Sequence, residues 1–249
     1  MKNSMFGWKY LFLIKIPGDA KFSKTGIQNN NKIFTSYLIN FTRSNWKNIM
    51  LEFLYSIDVK VFYFLNHTIS NRFLDRLFPF LTDVKNWYIA YLILLGIAFL
   101  KGGRLGKIAV LFTIILITVT DQLSSFVLKD LFARIRPCNV LPDVNLLVGC
   151  TSSYSFPSSH AVNNFAAAMF YGKLFPKTKW ALFIGASLMA LTRPYVGVHY
   201  PSDILGGAVI GLIIGWIFAL IVQKLDGIFK GQKLFGPKRF VRVKPEEMS

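Results

Sequence analysis

Apolar positions run in long blocks along this chain, not in the one-sided stripe of a helix that faces water. Stretches such as IAVLFTIILITVT and LGGAVIGLIIGWIFALIV have no polar face, so lipid is the better solvent for them. A crossing needs about 20 apolar residues. Five segments approach that length: Trp87–Leu100, Lys107–Leu128, His160–Phe175, Trp180–Thr192 and Ile204–Val222, the first, third and fourth extending into their flanks. The pattern predicts an all-α polytopic membrane bundle of five to six spans. A sixth crossing near Phe53–Leu65 would have to carry Asp58 and Lys60. Residues 61–81 place Ile69, Phe73, Leu77 and Leu81 on one face, with Asn66, Ser70 and Arg76 elsewhere, the pattern of a helix lying in the interface. Gly207, Gly211 and Gly215 recur at four-residue steps. They read either as a groove for close helix packing or as ordinary glycine tolerance in a membrane helix. SFPSSH, residues 155–160, opens an apolar helix that Ser158 or Ser159 can cap. Pro194 is expected to break the preceding helix after Arg193, and Pro201 to start the last one.

Composition agrees: 53% of the 249 residues are hydrophobic and the mean hydropathy is +0.43. The net charge of +17 would suggest nucleic acid in a soluble protein. Here the charge lies between and beyond the apolar blocks, no nucleic-acid module is recognisable, and no nucleic-acid partner is expected. Basic KGGRLGK (101–107), KLFPKTK (173–179) and the tail after Gln223 belong on the cytoplasmic side. The loop 129–159 and the link 193–203 then face outward. Residues 1–49 hold eight Lys and Arg and one acid, a basic extension that five spans would place outside, against the charge rule. No secretory cleavage site follows KYLFLIKIP. The expected organisation is this extension, an amphipathic segment 50–86, a core 87–223 and a basic cytoplasmic tail 224–249.

Polar residues then stand out. Asp121, Ser125 and Lys129 follow at four-residue steps, and Arg136 lies seven beyond Lys129, so a continuous helix would project both cations from one side. Basic residues at span ends often only snorkel. Asp121 lies deeper, as a packing contact or a partner for Lys129. His199 and Asp203 are four apart across a helix start, where a carboxylate can fix an imidazole tautomer and leave the other ring nitrogen nucleophilic. Alone, that pair is weak. Combined, Lys129, Arg136, Arg193, His160, His199, Asp203 and the helix mouth at Ser158 fall at one membrane surface, an arrangement that suits phosphate.

The set resembles the type 2 phosphatidic acid phosphatase (PAP2) superfamily. Lys129 to Arg136-Pro137 is similar to its first motif. Pro157-Ser158-Ser159-His160 is similar to the second, with Ser159 in place of glycine, and Arg193, His199 and Asp203 to the third, with Thr192 in place of serine. The resemblance covers about residues 52–222 and implies a PAP2/haloperoxidase-like core. It implies metal-free phosphoryl transfer without a cofactor: His199 as nucleophile, Asp203 orienting it, His160 as general acid then base, and Lys129, Arg136, Ser158, Ser159 and Arg193 binding phosphate. MLEFLYSID from Met50 looks like the usual start of bacterial members, so translation is expected there.

The expected partners are the bilayer and a membrane lipid phosphate, met at the outer face of the bacterial inner membrane. Undecaprenyl diphosphate is the first expectation; lipid A, as in a 1-phosphatase, and phosphatidylglycerophosphate are the alternatives. A transporter with a relay around Asp121 and a catalytically inactive lipid-binding member are the rivals. Cys138 and Cys150 share the outer loop, either as a disulfide or as free thiols.

Overall fold

The computed structural model describes residue 46 and residues 48–234; the extension over residues 1–45 and the end of the basic tail lie outside the described residues. The chain divides after Leu54. Residues 46 and 48–54 of the first unit are helical. The second unit begins with helical residues 55–63 (α1), which pass into a wider π-helical turn at Phe64–Thr68. The interfacial helix expected over 61–81 is therefore two pieces. Asn71 breaks them, its side chain accepting from the amides of Phe73 and Leu74 to cap α2, Arg72–Thr82. Asn66 closes the first piece. Its amide donates to the carbonyls of Asn145 (2.8 Å) and Tyr195 (2.7 Å), and its oxygen accepts from the Asn145 N–H.

α3 (Tyr88–Lys101) and α4 (Gly103–Gln122) form a hairpin, turning at Gly103 with φ of 61°. α4 continues through a π-helical stretch, Leu123–Leu128, into the single turn α5, Lys129–Phe132. Ala133 then adopts the left-handed conformation and ends the helix. Lys129 and Arg136 thus do not share a continuous helical face; Arg136 follows in extended backbone and precedes α6, Pro137–Val140. The remaining helices are α7 (Ser159–Leu174), α8 (Lys179–Tyr195) and α9 (Pro201–Leu234). α8 runs through Pro194 instead of breaking there, because the Val196 N–H reaches the Thr192 carbonyl at 2.9 Å and closes the last turn. Gly197, with φ of 91°, makes the break. α9 outlasts the apolar run expected to end at Val222, taking the first part of the tail into the helix.

Among the described residues, three helical stretches are long and apolar enough to cross a bilayer: Val84–Lys101, Gly103–Val140 and Pro201–Lys230. α7 and α8, with 16 and 17 residues, are the third and fourth of the five expected segments, both short as the sequence has them. Side chains such as Leu92, Ile114 and Leu205 are about 70% exposed, the outward face of a multi-pass membrane protein. The core is built by α4, α7 and α9 through Ala109, Leu116, Ala166, Phe170, Ala219 and Val222. α7 and α9 run parallel in backbone contact. A Cβ on Gly207, Gly211 or Gly215 would lie 2.9, 2.3 or 2.2 Å from the carbonyl oxygens of Ser158, Val162 and Ala166. The glycine repeat is therefore a packing groove. At the far end of these helices Arg104 of α4 meets Asp226 of α9 at 2.9 Å.

Candidate active site

The parallel pairing of α7 and α9 sets both N-termini at one end of the core. The end of α8 and the π-helical stretch of α4 arrive there too. The Ser158 N–H donates to the Asp203 carbonyl at 3.1 Å, tying the turn before α7 to the first turn of α9. A cis peptide joins Phe156 to Pro157 just upstream.

His199 is 2% exposed, in the link between α8 and α9. Its Nε2 lies 3.1 Å from Arg136 Nη1 and its Nδ1 lies 3.3 Å from Asp203 Oδ2. A guanidinium only donates, so Nε2 is the accepting nitrogen and the ring proton sits on Nδ1, toward the carboxylate. Burial pushes the His199 pKa down to about 3, against the pull of its Asp203 hydrogen bond; Arg136 and Arg193 lower it further. The ring is neutral near pH 7, with its Nε2 lone pair available. Arg136 is fixed by the Val198 carbonyl (3.0 Å) and by the carbonyl and hydroxyl of Ser153 (2.8 and 3.0 Å). The expected disulfide alternative is the one found: Cys138 and Cys150 are bonded within the loop that carries Ser153.

Around this imidazole lie polar atoms with no protein partner. Ser158, one of the two expected caps, is fully buried at the N-cap of α7, yet its hydroxyl caps no amide and bonds to no protein atom. The Arg193 Nε is likewise buried and unpartnered, while its Nη1 donates to Thr82 Oγ1 at 2.7 Å. Lys129 is 8% exposed, and among the described residues no carboxylate, Asp121 included, lies within ion-pair distance of it. Unpartnered buried donors are costly unless a ligand satisfies them, and a tetrahedral anion at a helix N-terminus would do so. His160 joins the group through α2: its Nε2 lies 3.2 Å from the Thr82 carbonyl. That carbonyl only accepts, so Nε2 carries the proton and Nδ1 is the open position. Arg193, Lys129 and Arg136 are all near enough to act on His160 electrostatically. Ser159 is turned away. Its hydroxyl meets those of Ser124 and Ser125 at 3.0 and 3.3 Å, so only its backbone is left to face an anion.

The sequence reading missed a set of residues behind Asp203. Arg134 Nη1 donates to Asp203 Oδ1 at 2.7 Å and to Ser202 Oγ at 2.6 Å, and its Nη2 donates to Asp58 Oδ2 at 2.6 Å. The Ser155 hydroxyl and the Tyr200 N–H (2.8 Å) donate to Asp203 Oδ2. In the sequence Asp58 stands only as an acid in an apolar segment, and nothing singles out Arg134. Among the described residues no three His, Cys, Asp or Glu side chains gather as metal ligands.

The chain is similar to known proteins. The PAP2 superfamily profile matches residues 107–226. A lipid A 4'-phosphatase of Bacteroides thetaiotaomicron is 35% identical over 186 residues, covering 71% of this chain and 81% of that protein. The undecaprenyl-diphosphatase BcrC of Bacillus subtilis is 30% identical over 161 residues, 64% of this chain and 79% of its own. Among solved structures, Aquifex aeolicus LpxE superposes with a TM-score of 0.52 at 30% identity, over 67% of this chain and 94% of that one.

Proposed function

Since the chain belongs to the PAP2 superfamily, and so is a membrane phosphatase, we propose that it removes phosphate from a lipid at the outer face of the inner membrane, through a phosphohistidine. The observation that carries this is the pairing of a neutral His199, oriented by Asp203, with buried donors that have no protein partner at Ser158 and Arg193. His199 Nε2 attacks phosphorus and the bond to the leaving oxygen breaks. Lys129, Arg136, Arg193, the Ser158 hydroxyl and the first amides of α7 hold the three equatorial oxygens, where charge develops. His160 acts as general acid once its open Nδ1 has taken up a proton, Nε2–H staying on the Thr82 carbonyl, and it gives that Nδ1 proton to the leaving oxygen. It then takes one from water, whose oxygen displaces His199 and frees phosphate.

The outward orientation is supported by the basic loops, which lie at the Arg104–Asp226 end of the core, opposite His199. For the substrate we favour a phosphate of lipid A, on the 35% identity to a relative of that name. Undecaprenyl diphosphate, the first expectation from sequence, is the second reading, supported by the 30% identical diphosphatase. The test is phosphate release by detergent-purified protein with EDTA present, on both lipids and phosphatidylglycerophosphate. Release abolished by His199→Ala but indifferent to EDTA is expected, with lipid A ranked first. EDTA-sensitive release would overturn the metal-free route, and preference for undecaprenyl diphosphate would select the second substrate.

A further inference from the structure

We propose that Arg134, anchored by Asp58, is a positioning residue that holds Asp203 in the one orientation able to fix the His199 tautomer. The inference rests on the phosphohistidine route above. Asp203 is fully buried and its two oxygens do different things. Oδ2 faces His199 Nδ1 and also receives the Ser155 hydroxyl and the Tyr200 N–H. Oδ1 is held by Arg134 at 2.7 Å. Tilting the carboxylate plane away from this arrangement would break the Arg134 contact, so the guanidinium opposes that motion.

Arg134 is in turn held on three sides. Nη2 bonds Asp58 at 2.6 Å, Nη1 also bonds the Ser202 hydroxyl, and the guanidinium carbon lies 3.9 Å from the centre of the Tyr200 ring. Asp58 accepts as well from the Ser202 N–H at 2.9 Å and from the Ser202 hydroxyl. One planar fork thereby joins α1 to the first turn of α9. A lysine, with a single point of charge, cannot keep both carboxylates in those places. Two carboxylates share one guanidinium, leaving a net negative charge behind the imidazole when its ring becomes cationic on phosphorylation. Arg134 itself sits behind Asp203, on the oxygen that His199 does not use, so its loss should slow the chemical step and spare substrate binding.

The experiment measures kcat and KM for Arg134→Gln, Arg134→Lys and Asp58→Asn, with His199→Ala alongside, on whichever of lipid A and undecaprenyl diphosphate the wild type hydrolyses faster. Arg134→Gln is expected to lower kcat about 10- to 100-fold, the range for removing a partner that orients a functional histidine, with KM within about twofold. Arg134→Lys should recover part of that loss, and Asp58→Asn should cost less than Arg134→Gln. Should Arg134→Gln fail to fold, Arg134→Lys still decides: a kcat below wild type at constant KM supports the role, and a wild-type kcat overturns it. A raised KM at unchanged kcat overturns it in favour of substrate binding. Turnover surviving in His199→Ala overturns the route and this inference together; turnover lost there, with Arg134→Lys at wild-type rate, overturns this inference alone.

Discussion

At the scale of single residues, the site is defined by groups whose ordinary needs are unmet. The Ser158 hydroxyl bonds to no protein atom, so Ser158→Ala should leave the thermal unfolding temperature in detergent unchanged. It should still lower kcat/KM by about 100-fold, as expected for one lost donor to a developing anion. A matching loss of stability would assign the serine to packing. His199 gives a second prediction. Its folded pKa of about 3 lies below the value of roughly 6.5 for an unfolded histidine. Between those values the unfolded chain binds more protons, so this contribution to stability is complete above about pH 6.5 and is lost as pH falls toward 3. Unfolding temperatures from pH 7 to pH 4.5 should fall more steeply for the wild type than for His199→Asn; parallel curves would refute the assignment. Motif spacing made both histidines and the cations legible. Arg134 and Asp58 were not, because their partnership spans 76 residues and no local pattern announces it.

At the scale of elements, hydropathy found the helices but not how they end. The count of seven predicts Lys129 and Arg136 on one helical face; instead a π-helical stretch leads into Lys129, and a left-handed alanine ends the helix before Arg136. Such widened turns gather at functional sites, and here one brings Ser124 and Ser125 onto Ser159. The glycine repeat was equally ambiguous until its neighbours were known. A methyl at Gly211 would meet the Val162 carbonyl at 2.3 Å, whereas nothing lies within 4 Å of one at Gly185. Gly211→Ala should therefore destabilise by about 1–3 kcal/mol, as overpacking does, while Gly185→Ala in α8 is neutral or slightly stabilising. Thermal unfolding of the two variants in one detergent checks the contrast.

At the scale of the whole molecule, the charge pattern and the disulfide both support the proposed direction. The Cys138–Cys150 bond closes a loop between Arg136 and Ser153, which lie just outside it on either side and are hydrogen-bonded to each other. A bond of this kind persists on an oxidising side, which matches the proposed outward site. Replacing both cysteines by serine should cost about 3 kcal/mol and reduce turnover. An unchanged unfolding temperature would mean that the loop is held by its other contacts. Thr178→Cys, between α7 and α8, should react with an impermeant thiol reagent only after cells are opened; labelling of intact cells would invert the topology.

The contact between α7 and α9 has a consequence for traffic. Where glycine faces a neighbouring carbonyl with no room for a methyl, no hydrocarbon tail can slide between the helices. The seam is sealed along its glycine repeat, so a lipid diffusing in the leaflet must reach His199 by another side of the bundle. The joined pair of helices thus serves as the fixed back wall of the proposed site, and its doorway lies elsewhere.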